Sequence, residues 1–232
     1  MFLKTLLHAW RSGVLMRHMY DELLEMIKAT EWMFRKSGCV LFEDTDPKDV
    51  ADDLYETDRK VNKTERTIRK EIVEHLVIRP KGDVPSCLVL MSVVKDAERI
   101  GDYCKNLYEV RDILGGPFDG DELTAQLKDV HGRILKIFQD TQKAIRESNE
   151  TLAREIMAGG KDVSHELERK VREVAASTVA TREAVCRALA IRHMKRIHGH
   201  LLNIASSIVQ PVHRIDYLGK KSSAEQTGGS SV

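Results

Sequence analysis

From residue 15 to residue 34 the apolar positions Leu15, Met19, Leu23, Met26, Ile27, Met33 and Phe34 fall three or four residues apart, the spacing of one face of an amphipathic helix. Gly38 is the expected stop. In EDTDPKDV, Asp46 suits an N-cap and Pro47 the first helical position, so a second helix is expected from there. Its pattern runs unbroken to about residue 78, roughly 45 Å of helix at 1.5 Å per residue. Helices that long are used in small folds mainly as bundle members. RPKGDVPS carries two prolines and a glycine and predicts a loop, with Ser86 suited to cap a third helix over 87–114. GGPFDGDE is the strongest break in the chain. Beyond it, three more helical patterns cover 123–148, 149–178 and 182–209, and the polar end, finishing in TGGSSV, predicts a disordered tail.

The two halves match each other. DAERIGDYCKNL, from Asp96, aligns without gaps on HMKRIHGHLLNI, from His193, sharing Arg99 with Arg196, Ile100 with Ile197 and Asn106 with Asn203. A fainter match sets VNKTER (61–66) on SHELER (164–169). The RPKGDVPS loop accounts for the difference in offset. The chain is therefore expected to be all-α, two tandem three-helix bundles: a first unit over 1–116 with an N-terminal extension, a second over 117–216, and a tail over 217–232. This division excludes a single four-helix core running through both halves.

Composition narrows the class of partner. Hydrophobic residues make up 42% of the chain and aromatic ones only 5%, the balance of a helical rather than a sheet protein. Thirty-seven basic against 36 acidic side chains leave a formal charge of +1, so no global field recruits nucleic acid. Cys39, Cys87, Cys104 and Cys186 include no C-x-x-C pair and read as reduced thiols of a cytoplasmic protein. No apolar run approaches the about 18 residues of a membrane span. Phe2, Leu3, Leu6, Leu7 and Trp10 recur at helical spacing opposite Lys4, His8 and Arg11. That segment suits either a helix packed on its own bundle or one lying on a membrane surface, and peripheral membrane association stays open.

Candidate chemistry gathers on the third helix. Glu98 and Asp102 lie four apart, hence on one face, and Asn106 continues the line beside the apolar stripe of Val94, Ala97, Ile100, Gly101, Cys104 and Leu107. Asp58 and Asn62 repeat the spacing on the second helix. If these helices are antiparallel neighbours, three carboxylates and two amides share one crevice, a set of oxygen donors suited to Mg²⁺, Mn²⁺, Ca²⁺ or iron. Lys95 and Lys105, each three residues from one of the acids, support the alternative of an ion-paired solvated face.

The stretch DAERIGDYCKNLYEV resembles the signature of the PhoU family, an acidic residue and an aspartate four apart in a D-x-E-R-I-G-D-x-x-x-N context, and YETDRKVNKTERTIRKEI resembles the family's companion helix. The resemblance runs from about residue 17 to residue 209. It implies two tandem three-helix units and regulation of phosphate transport and phosphate-starvation signalling by binding other proteins, a phosphate transporter component or a sensor kinase. It also implies an iron or zinc cluster, other divalent ions remaining open, on Asp58, Glu98 and Asp102, with Asn62 and Asn106 as secondary ligands. No organic cofactor is expected, and homo-oligomers are.

The second unit departs from this pattern. Lys195 stands in the place of Glu98, Gly199 in that of Asp102 and Lys161 in that of Asp58, so at most one such metal site is expected, and the two units are expected to carry faces of opposite sign. Arg192, Lys195 and Arg196 suit contact with an anion or acidic partner. His193, His198 and His200 in RHMKRIHGH leave a replacement metal site conceivable. Gly159 and Gly160 weaken the fifth helix, or kink it, by about 1 kcal/mol each relative to alanine.

An enzyme is not expected. The rival reading, a helical carboxylate-bridged metalloenzyme, requires Glu-x-x-His pairs, and none occurs; H-E-x-x-H, G-x-x-x-x-G-K and G-x-S-x-G are also absent. A purely structural interaction module is the third reading.

Overall fold

The computed structural model describes residues 14–43, 45–79, 83–210 and 213; the N-terminal apolar segment and the polar tail lie outside these residues. Six helices follow in order: α1 (Val14–Phe42), α2 (Lys48–Ile78), α3 (Val84–Leu114), α4 (Glu122–Glu147), α5 (Glu150–Ala176) and α6 (Thr181–Val209). No strand occurs among the described residues, and no described helix is long and apolar enough to cross a membrane.

Local chemistry sets most of the helix ends. Pro47 is already helical (φ −51°, ψ −33°), and the Asp46 carboxylate accepts the Lys48 N–H at 3.0 Å, so the expected start signal operates. Asp121 and Asn149 cap α4 and α5 by accepting the N–H of Thr124 and of Leu152. Ser148 turns the chain between those helices in the left-handed region (φ 51°). The expected cap at Ser86 is not formed: α3 starts at Val84, Pro85 occupies its first turn and Ser86 is buried inside the helix.

Gly38 does not stop α1, which continues to Phe42. The glycine is there for an approach from across the molecule. A Cβ at position 38 would lie 2.3 Å from Nε2 of His131 on α4, whose ring stacks on Phe34 and donates to the Phe34 carbonyl at 2.9 Å. Gly160 likewise belongs to an unbroken α5 and is met by Leu202 of α6, 2.5 Å from where a Cβ would stand.

In each unit successive helices run antiparallel, α2 against α1 and α3, and α5 against α4 and α6. The units meet through α3 on α6 and α1 on α4, also antiparallel. Two three-helix units are present, but the exclusion of a shared core does not hold. Buried apolar side chains of all six helices form one continuous cluster, with Met19, Phe34 and Ile100 from the first half and Phe138, Ile191 and Met194 from the second. The reason is geometric: α1, α3, α4 and α6 each have an apolar face too wide for their own unit to cover, and each finds the remainder in the other half.

Candidate functional site

The crevice between α2 and α3 brings together the acids singled out in the sequence. Asp58 is 7% exposed and reaches across to Lys105, whose Nζ stands 3.1 Å from Asp58 Oδ2 and 3.6 Å from Asp102 Oδ1. Asn62 donates to the same Asp58 oxygen at 3.3 Å. Asp102 is also held by Arg99 at 3.2 Å, and Glu98 by Lys95 at 2.8 Å and Arg99 at 3.8 Å. Asn106 is half-buried on α3. At Gly101 a Cβ would fit, making ordinary van der Waals contact with Thr30, Val61 and Asp58 at 3.5–3.8 Å.

Acids and bases thus alternate along the crevice, Asp58, Lys105, Asp102, Arg99, Glu98 and Lys95. Burial pulls the Lys105 ammonium down, but Asp58 and then Asp102 outweigh it and hold the group above the usual lysine value. The Cys104 thiol behind it is pushed well up by burial and by Asp58.

Asp58, Glu98 and Asp102 do not gather as a set within the 4.8 Å that ligands of one ion require, and the place between Asp58 and Asp102 is taken by the Lys105 ammonium. As placed, these residues do not fit a carboxylate-held metal cluster. They make an ion-paired seam, and the acidic face expected of the first unit is charge-balanced.

The equivalent crevice between α5 and α6 is filled differently. His198, in the place of Gly101, is fully buried with its Nδ1 3.2 Å from Ser164 Oγ, and burial pushes its pKa down to about 4. Leu202, in the place of Lys105, packs onto Gly160. Lys195 pairs with Glu168 of its own unit, an exposed carboxylate held below its usual range by that lysine. Arg192 and Arg196 are exposed and make no ion pair among the described residues. Together with Ser164, Gly199, His200 and Asn203 they line a shallow groove. The second unit therefore keeps a basic rim.

His193, His198 and His200 do not converge on one point. His198 faces α5, whereas the other two face α3. Asp96, 8% exposed, accepts from His200 at 2.6 Å and from Asn203 at 3.2 Å, and Tyr103 stacks on His200 at 5.7 Å and lies 6.0 Å from His193. In the repeat alignment Asp96 answers to His193 and Tyr103 to His200. The contacts Asp96–His200 and Tyr103–His193 are therefore images of each other, with the Tyr103–His200 stack on the axis. Such reciprocity defines a pseudo-two-fold interface between the units. Asp96 stood at the head of the matched segment, but nothing in its spacing marked it as the residue that joins the halves.

Comparison with known proteins agrees with this architecture. A family model described as PhoU domain matches residues 23–110. The chain is 25% identical over 168 residues to the phosphate-specific transport system accessory protein PhoU homolog 1 of Thermotoga maritima, a match spanning 69% of this chain and 72% of that protein. Its fold superposes on the crystal structure of PhoU from Pseudomonas aeruginosa with a TM-score of 0.77 and 22% identity, covering 84% of this chain and 95% of that one. For the phosphate transport system regulatory protein PhoU from Streptococcus pneumoniae the TM-score is 0.73 at 16% identity, over 83% and 92% of the respective chains.

Proposed function

We propose, from the premise that this chain is a PhoU-domain protein, that it is a cytoplasmic regulator of phosphate transport that works by binding other proteins and catalyses no reaction. The observation that carries the reading is the PhoU domain over residues 23–110, which spans most of the three helices of the first unit. The relative in Thermotoga maritima is an accessory protein of a phosphate-specific transport system, which supports a transporter component as the partner; a sensor kinase is the other partner the sequence resemblance implies.

Arg192 and Arg196 are the surface we assign to that contact. They stand free on the rim of a groove whose polar lining, Ser164, His200 and Asn203, can accept and donate hydrogen bonds to an acidic or phosphorylated segment. Rim cations of this kind act mainly on association rate and on salt dependence. A metal cluster on Asp58, Glu98 and Asp102 is not part of this reading, because their charges are met by Lys95, Arg99 and Lys105.

The test is deletion and complementation in the source cell. Loss of the protein is expected to release phosphate uptake from control by external phosphate. The wild-type chain restores control, whereas Arg192→Glu with Arg196→Glu does not, at unchanged helicity. Phosphate uptake that responds normally in the deletion strain would overturn the reading.

A further inference from the structure

At the end of the first unit where α1 begins and α2 finishes, three side chains face one another without the cations that neutralise the crevice described above. His18 and Glu22 lie four apart on α1, with Nε2 and Oε1 separated by 3.8 Å, and Glu71 comes from α2. One ligand atom from each of the three lies within 4.8 Å of the other two, and no other trio of His, Cys, Asp or Glu among the described residues meets that condition.

Two further observations concern the carboxylates. Oε2 of Glu22 and Oε2 of Glu71 are both shut off from solvent, and neither has a hydrogen-bond donor among the described residues. Neither glutamate pairs with a lysine or arginine among the described residues; the one cationic candidate is His18. Of the neighbouring cations, Lys28 pairs with Glu25 and Lys70 with Glu74, and the exposed Arg17 pairs with neither glutamate. Burial, and then the charge of Glu71, push the Glu22 carboxyl above its usual range, while His18 pulls it down. Two half-buried carboxylates facing each other, each with one oxygen shut off from solvent and unpaired, are an arrangement that folding tolerates when something else supplies the positive charge.

We infer that His18, Glu22 and Glu71 form a binding site for a divalent transition-metal ion of zinc's class, with water completing its shell. One imidazole nitrogen and two carboxylate oxygens are a ligand set that zinc accepts at about 2.0–2.2 Å. Ligands of a tetrahedral ion at that distance stand roughly 3.4 Å apart, which rotation of the three side chains reaches from their present spacing. Calcium, which takes six to eight oxygens, and magnesium, which takes an octahedron of them, fit poorly. The ion would tie the start of α1 to the last turns of α2 and take a carboxylate oxygen from each glutamate.

The site is tested on the full chain by competition with a chromogenic zinc chelator and by melting with and without ZnCl₂. The wild type is expected to take up one Zn²⁺ per chain and to melt higher in its presence. Glu22→Gln with Glu71→Gln loses that ion and its thermal response. Without metal the same variant melts no lower than the wild type, because the like-charge contact is gone, and this shows that the loss of binding is not a failure to fold. Glu98→Gln with Asp102→Asn, which alters the other carboxylates, keeps the ion. Co²⁺ in place of Zn²⁺ gives the wild type a visible d–d absorption that His18→Ala changes. Failure of the wild type to bind zinc, or equal zinc content in the wild type and the Glu22/Glu71 variant, overturns the inference.

Discussion

Gly159 and Gly160 are neighbours on α5 and meet opposite surroundings. Nothing lies within 4 Å of a Cβ built at Gly159, whereas Leu202 blocks one at Gly160. Gly159→Ala is expected to raise stability by about 1 kcal/mol through helix propensity alone. Gly160→Ala is expected to lower it by about 1–3 kcal/mol through overpacking. Urea unfolding midpoints at unchanged m distinguish the two. His131 and His198 illustrate a second consequence of burial. Each is pushed to about 4 by desolvation, against 6.5 for the exposed ring. Between these values the unfolded chain binds more protons than the folded one. Stability is therefore complete above about pH 6.5 and is lost as pH falls towards 4. Each ring contributes a slope of about 1.4 kcal/mol per pH unit across that window. His131→Gln retains a donor for the Phe34 carbonyl and is expected to remove about half of the combined slope, as read from denaturation curves at pH 4.5, 5.5 and 6.5.

Among the helices, the clearest contest is at the α2–α3 seam. Lys105→Met leaves Asp58 buried beside an apolar chain and is expected to cost about 2 kcal/mol, less than a fully buried pair because Lys105 is a quarter exposed. Asp58→Asn in the same chain should return most of that loss, and a double-mutant cycle by chemical denaturation measures the coupling. This seam also shows how much could be read in advance. The four-residue spacings of Glu98 and Asp102, and of Asp58 and Asn62, were enough to place the acids beside one crevice. They could not say whether Lys105 would turn inward, since a lysine three residues from an acid has several rotamers that reach it or miss it. The helix start at Pro47 was legible because a cap and a proline act within a few residues, and the one near Leu123 because it follows the GGPFDGDE break. Gly38 was misread as a stop because its reason, the ring of His131, lies on another helix. His18, Glu22 and Glu71 were missed because no local motif joins an α1 pair to a single residue on α2.

Over the whole molecule, the continuous core means that the halves do not unfold separately. A single calorimetric transition is expected, with equal calorimetric and van't Hoff enthalpies. The segment 117–216 expressed alone is expected to expose the faces of α4 and α6 and to lack a cooperative melt. The self-match was visible in the sequence, but the sharing of the core was not, because a repeat reveals kinship between halves and not the width of the face each leaves uncovered. The pseudo-two-fold contact between α3 and α6 carries one more consequence. Cut between residues 115 and 121, the protein becomes two fragments that choose each other over themselves. Two copies of the first would set Asp96 against Tyr103, and two copies of the second would set His193 against His200. Only the mixed pair supplies an imidazole to the buried carboxylate, so the differences between the repeats give the seam a mating preference.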